Sequence, residues 1–283
     1  MRRRWIALAL ALLALALLAG MAQAQTETDG QATQEESAAQ ALDVEALLSA
    51  CQDRQLSTRT QLVDVLHEYV LGQMNISIKE LAVENASNAL EDLEAQYLMG
   101  AVESADLEAA EKAVSTAQAE ADKAQLEQMK LVSRVRGFTG QDITGCSADA
   151  QDFFLTLQPS QLSLDLLKSA LTSSSEAENL QEALIELEQS YIDVSLYYEA
   201  ISSAQETYAA AEEARQGVAR DVMMGNASSE DFRSATVEMR QARLELMTAI
   251  SDYSRLLYSI NESCGGALCD QAGMLEAYLG AGA

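Results

Sequence analysis

The chain has 283 residues, 48% of them hydrophobic, and a formal net charge of −26. So acidic a protein lacks the basic patches that nucleic acid or an anionic membrane surface demands, which excludes both as expected partners. Its only proline is Pro159, and such scarcity of breakers points to long helices, because an interior proline costs a helix about 3 kcal/mol.

Three arginines (Arg2 to Arg4), an apolar run from Trp5 to Ala19 and the triplet Ala22-Gln23-Ala24 have the order of a secretory signal peptide. The run is short for a membrane span, which needs about 20 residues. Residues 1–24 are therefore expected to be cleaved, and the mature chain exported. Residues 25–41, QTETDGQATQEESAAQA, are polar and without periodicity, so they predict a disordered leader.

From residue 42 onward the pattern is helical. The stretch YLMGAVESADLEAA (97–110) returns 125 positions later as VMMGNASSEDFRSA (222–235), repeating Met99, Gly100, Ser104, Asp106 and Ala110 as Met224, Gly225, Ser229, Asp231 and Ala235. Glycine alone takes the left-handed conformation that ends a helix without steric cost, and a following serine can cap the next helix. Ser228-x-x-Asp231 has capping-box spacing; in the first copy Glu103 stands in that place, so either Ser104 caps or the cap is weaker. Each phrase thus reads as the tip of an antiparallel helical hairpin.

Apolar or small residues follow each tip at alternating spacings of three and four, the seam of a coiled coil. In the first copy they fall at 107, 110, 114, 117, 121, 124, 131 and 135, with Gln128 as the single gap. In the second they run from Phe232 through Ala235, Met239, Ala242, Leu246, Ala249, Tyr253 and Leu256 to Ile260. Aligned without gaps at the offset of 125, residues 97–140 and 222–265 share ten identities and both end on glycine, Gly140 and Gly265. The chain is therefore a tandem repeat: hairpin repeat 1 at 42–140, a connector at 141–162, hairpin repeat 2 at 163–265 and a tail at 266–283. The fold class is all-α, with no β-barrel. Met239 and Leu246 on one side of a helix and Val237 and Leu244 on another give two apolar seams, more than one hairpin pair is expected to bury, which predicts a homotrimer.

Four cysteines in an exported chain suggest disulfides. Cys51 lies 49 residues before Gly100 and Cys146 lies 46 after it, so the hairpin brings both to its base. Cys264 and Cys269 flank a short loop with two glycines. The favoured pairing is Cys51–Cys146 with Cys264–Cys269; the rival joins Cys146 to Cys264 or Cys269. His67, the only histidine, reads as a packed or surface helix residue, and with it C-x4-C makes a poor zinc set. No cofactor or metal is expected. Catalysis is not expected either, since the chain shows no nucleophile motif and no phosphate loop.

At its tips the chain resembles the TolC family of outer-membrane efflux proteins. That family is a tandem repeat whose tips carry a glycine, an aspartate followed by a hydrophobic residue, and a closing glycine. Here these are Gly100, Asp106, Leu107 and Gly140, then Gly225, Asp231, Phe232 and Gly265. Family members are longer and insert two barrel strands into each repeat. The corresponding places here, 67–84 and 188–203, read through as helix. The resemblance therefore implies the tunnel-forming helical part without a barrel, located in a bacterial cell envelope, either periplasmic or associated with the outer membrane. It further implies a passive conduit of three copies, docked through Met99, Gly100, Ser104, Asp106, Met224, Gly225, Ser229 and Asp231 onto a periplasmic adaptor protein that serves an inner-membrane transporter. The alternative is an exported coiled-coil scaffold that conducts nothing.

Overall fold

The computed structural model describes residues 40–50, 56–147, 154, 158–174 and 180–264. The predicted signal peptide, Cys51, Gly265, Cys269 and the tail lie outside the described residues. The chain divides into two units. In the smaller, β1 (Gln40–Ala41) pairs in parallel with β2 (Cys146–Ser147). Gln40 and Ala41, the last two residues of the expected leader, pair with Cys146 and Ser147 in this ladder.

The larger unit is helical: α1 (Val44–Ser49), α2 (Leu56–Leu98), α3 (Ser104–Thr139), α4 (Leu164–Ser174), α5 (Leu180–Met223) and α6 (Ser229–Ser263), with one 3-10 turn at Pro159–Gln161. Helices α2 and α3 form one long antiparallel hairpin, and α5 and α6 the other, as the repeat predicts. Both α2 and α5 run unbroken through 67–84 and 188–203, and no barrel strand occurs among the described residues.

Within the first hairpin every predicted seam position on α3, from Leu107 to Val135, is buried or half-buried. The polar gap has its own explanation. Gln128 lies over α2 and donates from Nε2 to the backbone oxygen of Tyr69 at 3.0 Å. A Cβ at Gly72 would collide with its Oε1, so the helix-interior glycine makes room for this side chain. Lys79–Glu120 at 2.6 Å and Arg134–Glu68 at 3.2 Å flank the seam.

The second seam on α6 is used inside the chain. Arg233, Val237, Arg240, Leu244, Met247 and Ser251 follow one another at spacings of four and three, and their row faces α2. Arg233 meets Asp92 at 3.5 Å, Arg240 donates to Ser77 Oγ at 3.1 Å, and Ser251 meets His67 at 3.0 Å. Rising numbers on one helix meet falling numbers on the other, so α2 and α6 are antiparallel. This corrects the reasoning from Val237 and Leu244: both are half-buried against the first hairpin, and neither requires a second copy.

The core sits at the base, away from the tips. Leu62, Val65, Leu66, Tyr69, Leu167, Tyr253 and Leu257 are nearly or wholly inaccessible there. The Tyr69 hydroxyl donates to Ile143 O at 3.0 Å, and Tyr191 donates to Leu162 O at 3.2 Å, tying the connector to both hairpins. His67 is fully buried, its ring 4.9 Å from that of Phe154. Burial, then the nearby Arg255 cation, pushes its pKa down to about 3, so it is a neutral core residue.

Candidate functional site

The two tips are built alike from the backbone upward. Gly100 has φ +70° and Gly225 φ +76°. Gly100 N–H donates to Tyr97 O at 2.9 Å and Ala101 N–H to Gln96 O at 2.9 Å. Gly225 N–H donates to Val222 O at 3.0 Å and Asn226 N–H to Asp221 O at 2.8 Å. These paired returns make a Schellman motif at both ends and satisfy carbonyls that a helix end leaves open.

The helices that follow start differently. Ser228 caps α6: its hydroxyl accepts from Asp231 N–H at 3.1 Å, while the Asp231 carboxylate accepts from Ser228 N–H at 2.7 Å. Those bonds, with the one from the Ser228 hydroxyl first in weight, hold the Asp231 carboxyl below its usual range. In the first tip the N-cap is Glu103, not Ser104, and the Asp106 carboxylate accepts from Glu103 N–H at 3.0 Å. Ser104 and Ser229 are the first residues of their helices. Asp106 and Asp231 therefore act alike, closing the turn from the third helical position, where a carboxylate also suits the helix dipole.

Beside their exposed polar caps, both tips present large apolar side chains to solvent. Leu98, Met99, Met223 and Met224 are between 66 and 87% exposed, two adjacent large side chains per tip. Leu98 was not picked out by the repeat, because its counterpart is Met223 and the two residues are not identical; its place beside Met99 in the last helical turn was the available signal. Gly100 and Gly225 have open space around them, so a side chain there is opposed by backbone conformation and not by neighbours.

Of the cysteines, Cys146 and Cys264 are buried, and burial raises the Cys264 thiol pKa. Each favoured pair has one member, Cys51 or Cys269, outside the described residues. Among the described residues no cluster of histidine, cysteine and carboxylate side chains is arranged to hold a metal ion, and no helix is long and apolar enough to cross a membrane.

Comparison with known proteins gives a fold. No protein-family model and no curated protein matches the chain. Solved structures do. The outer membrane protein VceC of Vibrio cholerae aligns with TM-score 0.51 at 12% identity over 75% of this chain and 70% of its own. The Campylobacter jejuni CmeC outer membrane channel aligns with TM-score 0.52 at 13% identity over 80% of this chain and 66% of its own. The outer-membrane channel OprN aligns with TM-score 0.50 at 16% identity over 79% and 71%. The fold is that of the helical part of TolC-family channels, as the tip residues implied, without barrel strands among the described residues.

Proposed function

We propose that this chain is a subunit of a passive helical conduit in a bacterial envelope, docking an adaptor protein through its hairpin tips. The observation that carries the reading is the pair of tips. Two turns of the same hydrogen-bonded geometry, 125 residues apart, each hold two large apolar side chains in solvent, on a fold shared with outer-membrane channels. Exposed methionine and leucine side chains adapt to an apolar partner surface, and rigid caps fix where they point. By the resemblance, three copies supply the tunnel and the adaptor links it to an inner-membrane transporter. The protein's part is then positional: it performs no chemistry and moves solutes along a gradient set elsewhere.

The experiment is a deletion strain loaded with a fluorescent efflux dye. Dye retention should rise, and the wild-type gene should restore it while a Met99→Asp/Met224→Asp double variant of unchanged melting temperature does not. Unchanged retention in the deletion strain sinks the conduit. A second reading, an exported scaffold without transport, is favoured by one observation: α2 and α5 pass unbroken through the places where the family inserts its barrel strands. That reading predicts a stable monomer in light scattering.

A further inference from the structure

Exposure decides the chemistry of a methionine as well as its packing. An accessible thioether gives two electrons to a peroxide and becomes a sulfoxide, whereas a buried one is shielded. Among the described residues Met247 is only 2% exposed, and Met74 and Met239 are half-buried. Met99, Met223 and Met224 are 76%, 77% and 66% exposed. Three of the four large apolar side chains that the tips hold in solvent are therefore oxidisable. The remaining exposed thioether among the described residues is Met129 on α3, far from either tip in sequence.

The tips are built so that this reaction changes their surface and leaves the fold alone. Their turns are closed by backbone bonds, from Gly100 N–H to Tyr97 O and from Gly225 N–H to Val222 O, and by the caps at Glu103 and Ser228. No sulfur takes part in those bonds. The two tips differ in dose: Leu98 stands where the second repeat has Met223, so the first tip carries one thioether and the second two.

We propose that Met99, Met223 and Met224 are a reversible oxidation site that turns the tips from apolar to polar and blocks docking while the sulfoxides last. The proposal rests on the reading of the tips as docking surfaces and adds a means of regulating them. With hydrogen peroxide, a sulfur lone pair attacks one oxygen, the O–O bond breaks and an S–O bond forms. The second oxygen leaves as water with both protons; sulfur is oxidised by two electrons and peroxide is reduced by two. A thiol-dependent reductase reverses the change: two thiols become a disulfide and the sulfoxide oxygen leaves as water. A sulfoxide oxygen that enters an apolar partner surface gives up its water without replacement, which opposes docking. A docked tip is covered by its partner, so oxidation acts on free subunits and keeps them free.

The test uses Met129→Leu protein, in which the tips hold the exposed thioethers of the described residues. Brief treatment with dilute hydrogen peroxide, followed by peptide mapping, should oxidise Met99, Met223 and Met224 about tenfold or more faster than Met247. The oxidised protein should keep its helical content, elute earlier from a phenyl column and return to its first position after treatment with methionine sulfoxide reductase and a dithiol. Tip rates no faster than that of Met247 overturn the site, and unchanged elution at full tip oxidation overturns the change of surface. In cells, a peroxide pulse is followed by dye efflux, each strain compared with its own value before the pulse. The Met129→Leu strain should lose a severalfold larger fraction than one that also carries Met99→Leu/Met223→Leu/Met224→Leu; equal fractional losses overturn the block on docking. Selective, reversible oxidation of a protein whose deletion leaves dye retention unchanged keeps the site and removes the conduit.

Discussion

The base of the larger unit and its tip half use the same helices for different ends. At the base α2 is covered on nearly all sides between Leu62 and Val70, and it packs against α3 and α6. Toward the tips the seam thins. The only fully buried side chains of α3 are Ala121, Ala124 and Val135, and those of α5 are Leu187, Val194 and Ile201, a heptad row that stops well short of Gly225. Apolar stabilisation scales with area removed from water, so an alanine seam supplies little of it. The tips are held by backbone geometry and caps. Stability and the proposed docking surface are therefore separable, since one can be altered with little effect on the other.

The comparison breaks most visibly at the base. Leu66→Ala should cost about 2–5 kcal/mol through lost burial and the cavity it leaves, while Leu98→Ala at the tip should stay within about 0.5 kcal/mol. Urea titrations of the two variants decide it, and equal losses would show that the tip is packed as tightly as the base.

Acid sharpens the same contrast. His67 is held neutral, with a folded pKa of about 3 against an ordinary 6.5. The unfolded chain takes up this proton first as pH falls. The contribution of His67 is therefore fully present above about pH 6.5 and is lost progressively as pH drops toward about 3, at up to about 1.4 kcal/mol per unit. Asp64 acts with the opposite sign, because burial chiefly raises its pKa above 3.8 and its ionisation opposes folding as pH rises past that value. Subtracting the stability profile of a His67→Gln variant from that of the wild type isolates the histidine; a flat difference between pH 6.5 and 4 refutes the assignment.

The smallest effects compare the two tips with each other. Gly100→Ala and Gly225→Ala should each cost about 1 kcal/mol, because both put a Cβ into left-handed backbone. Ser228→Ala should cost about 1 kcal/mol through the lost cap, and Glu103→Ala less. Thermal melts that rank Glu103→Ala as the worse of these two would reverse the account of the caps.

Much of this was legible in the sequence because period and capping are local. The α3 seam, the glycines at both tips and the Ser228–Asp231 box depend on residues within one or two turns of each other. Covering partners were not legible. Periodicity shows that Val237 and Leu244 share a face, but it does not show that α2 lies on it. Gln128 looked like a flaw in a seam until Gly72, on the neighbouring helix, supplied the space. The tip pairing of Leu98 with Met223 escaped because alignment by identity overlooks exchange between similar side chains.

The contact between α2 and α6 also sets an order of events during synthesis. The apolar face of Leu62 to Val70 depends on a helix that ends at Ser263, and the buried pair His67–Ser251 spans 184 positions of sequence. Loop closure over such a distance must precede the burial that rewards it, which slows folding relative to local pairing. The first hairpin can zip as soon as α3 is made, but its base stays open until α6 has left the ribosome. A nascent chain truncated before α6 should therefore hold its helices while leaving that face for a chaperone to cover.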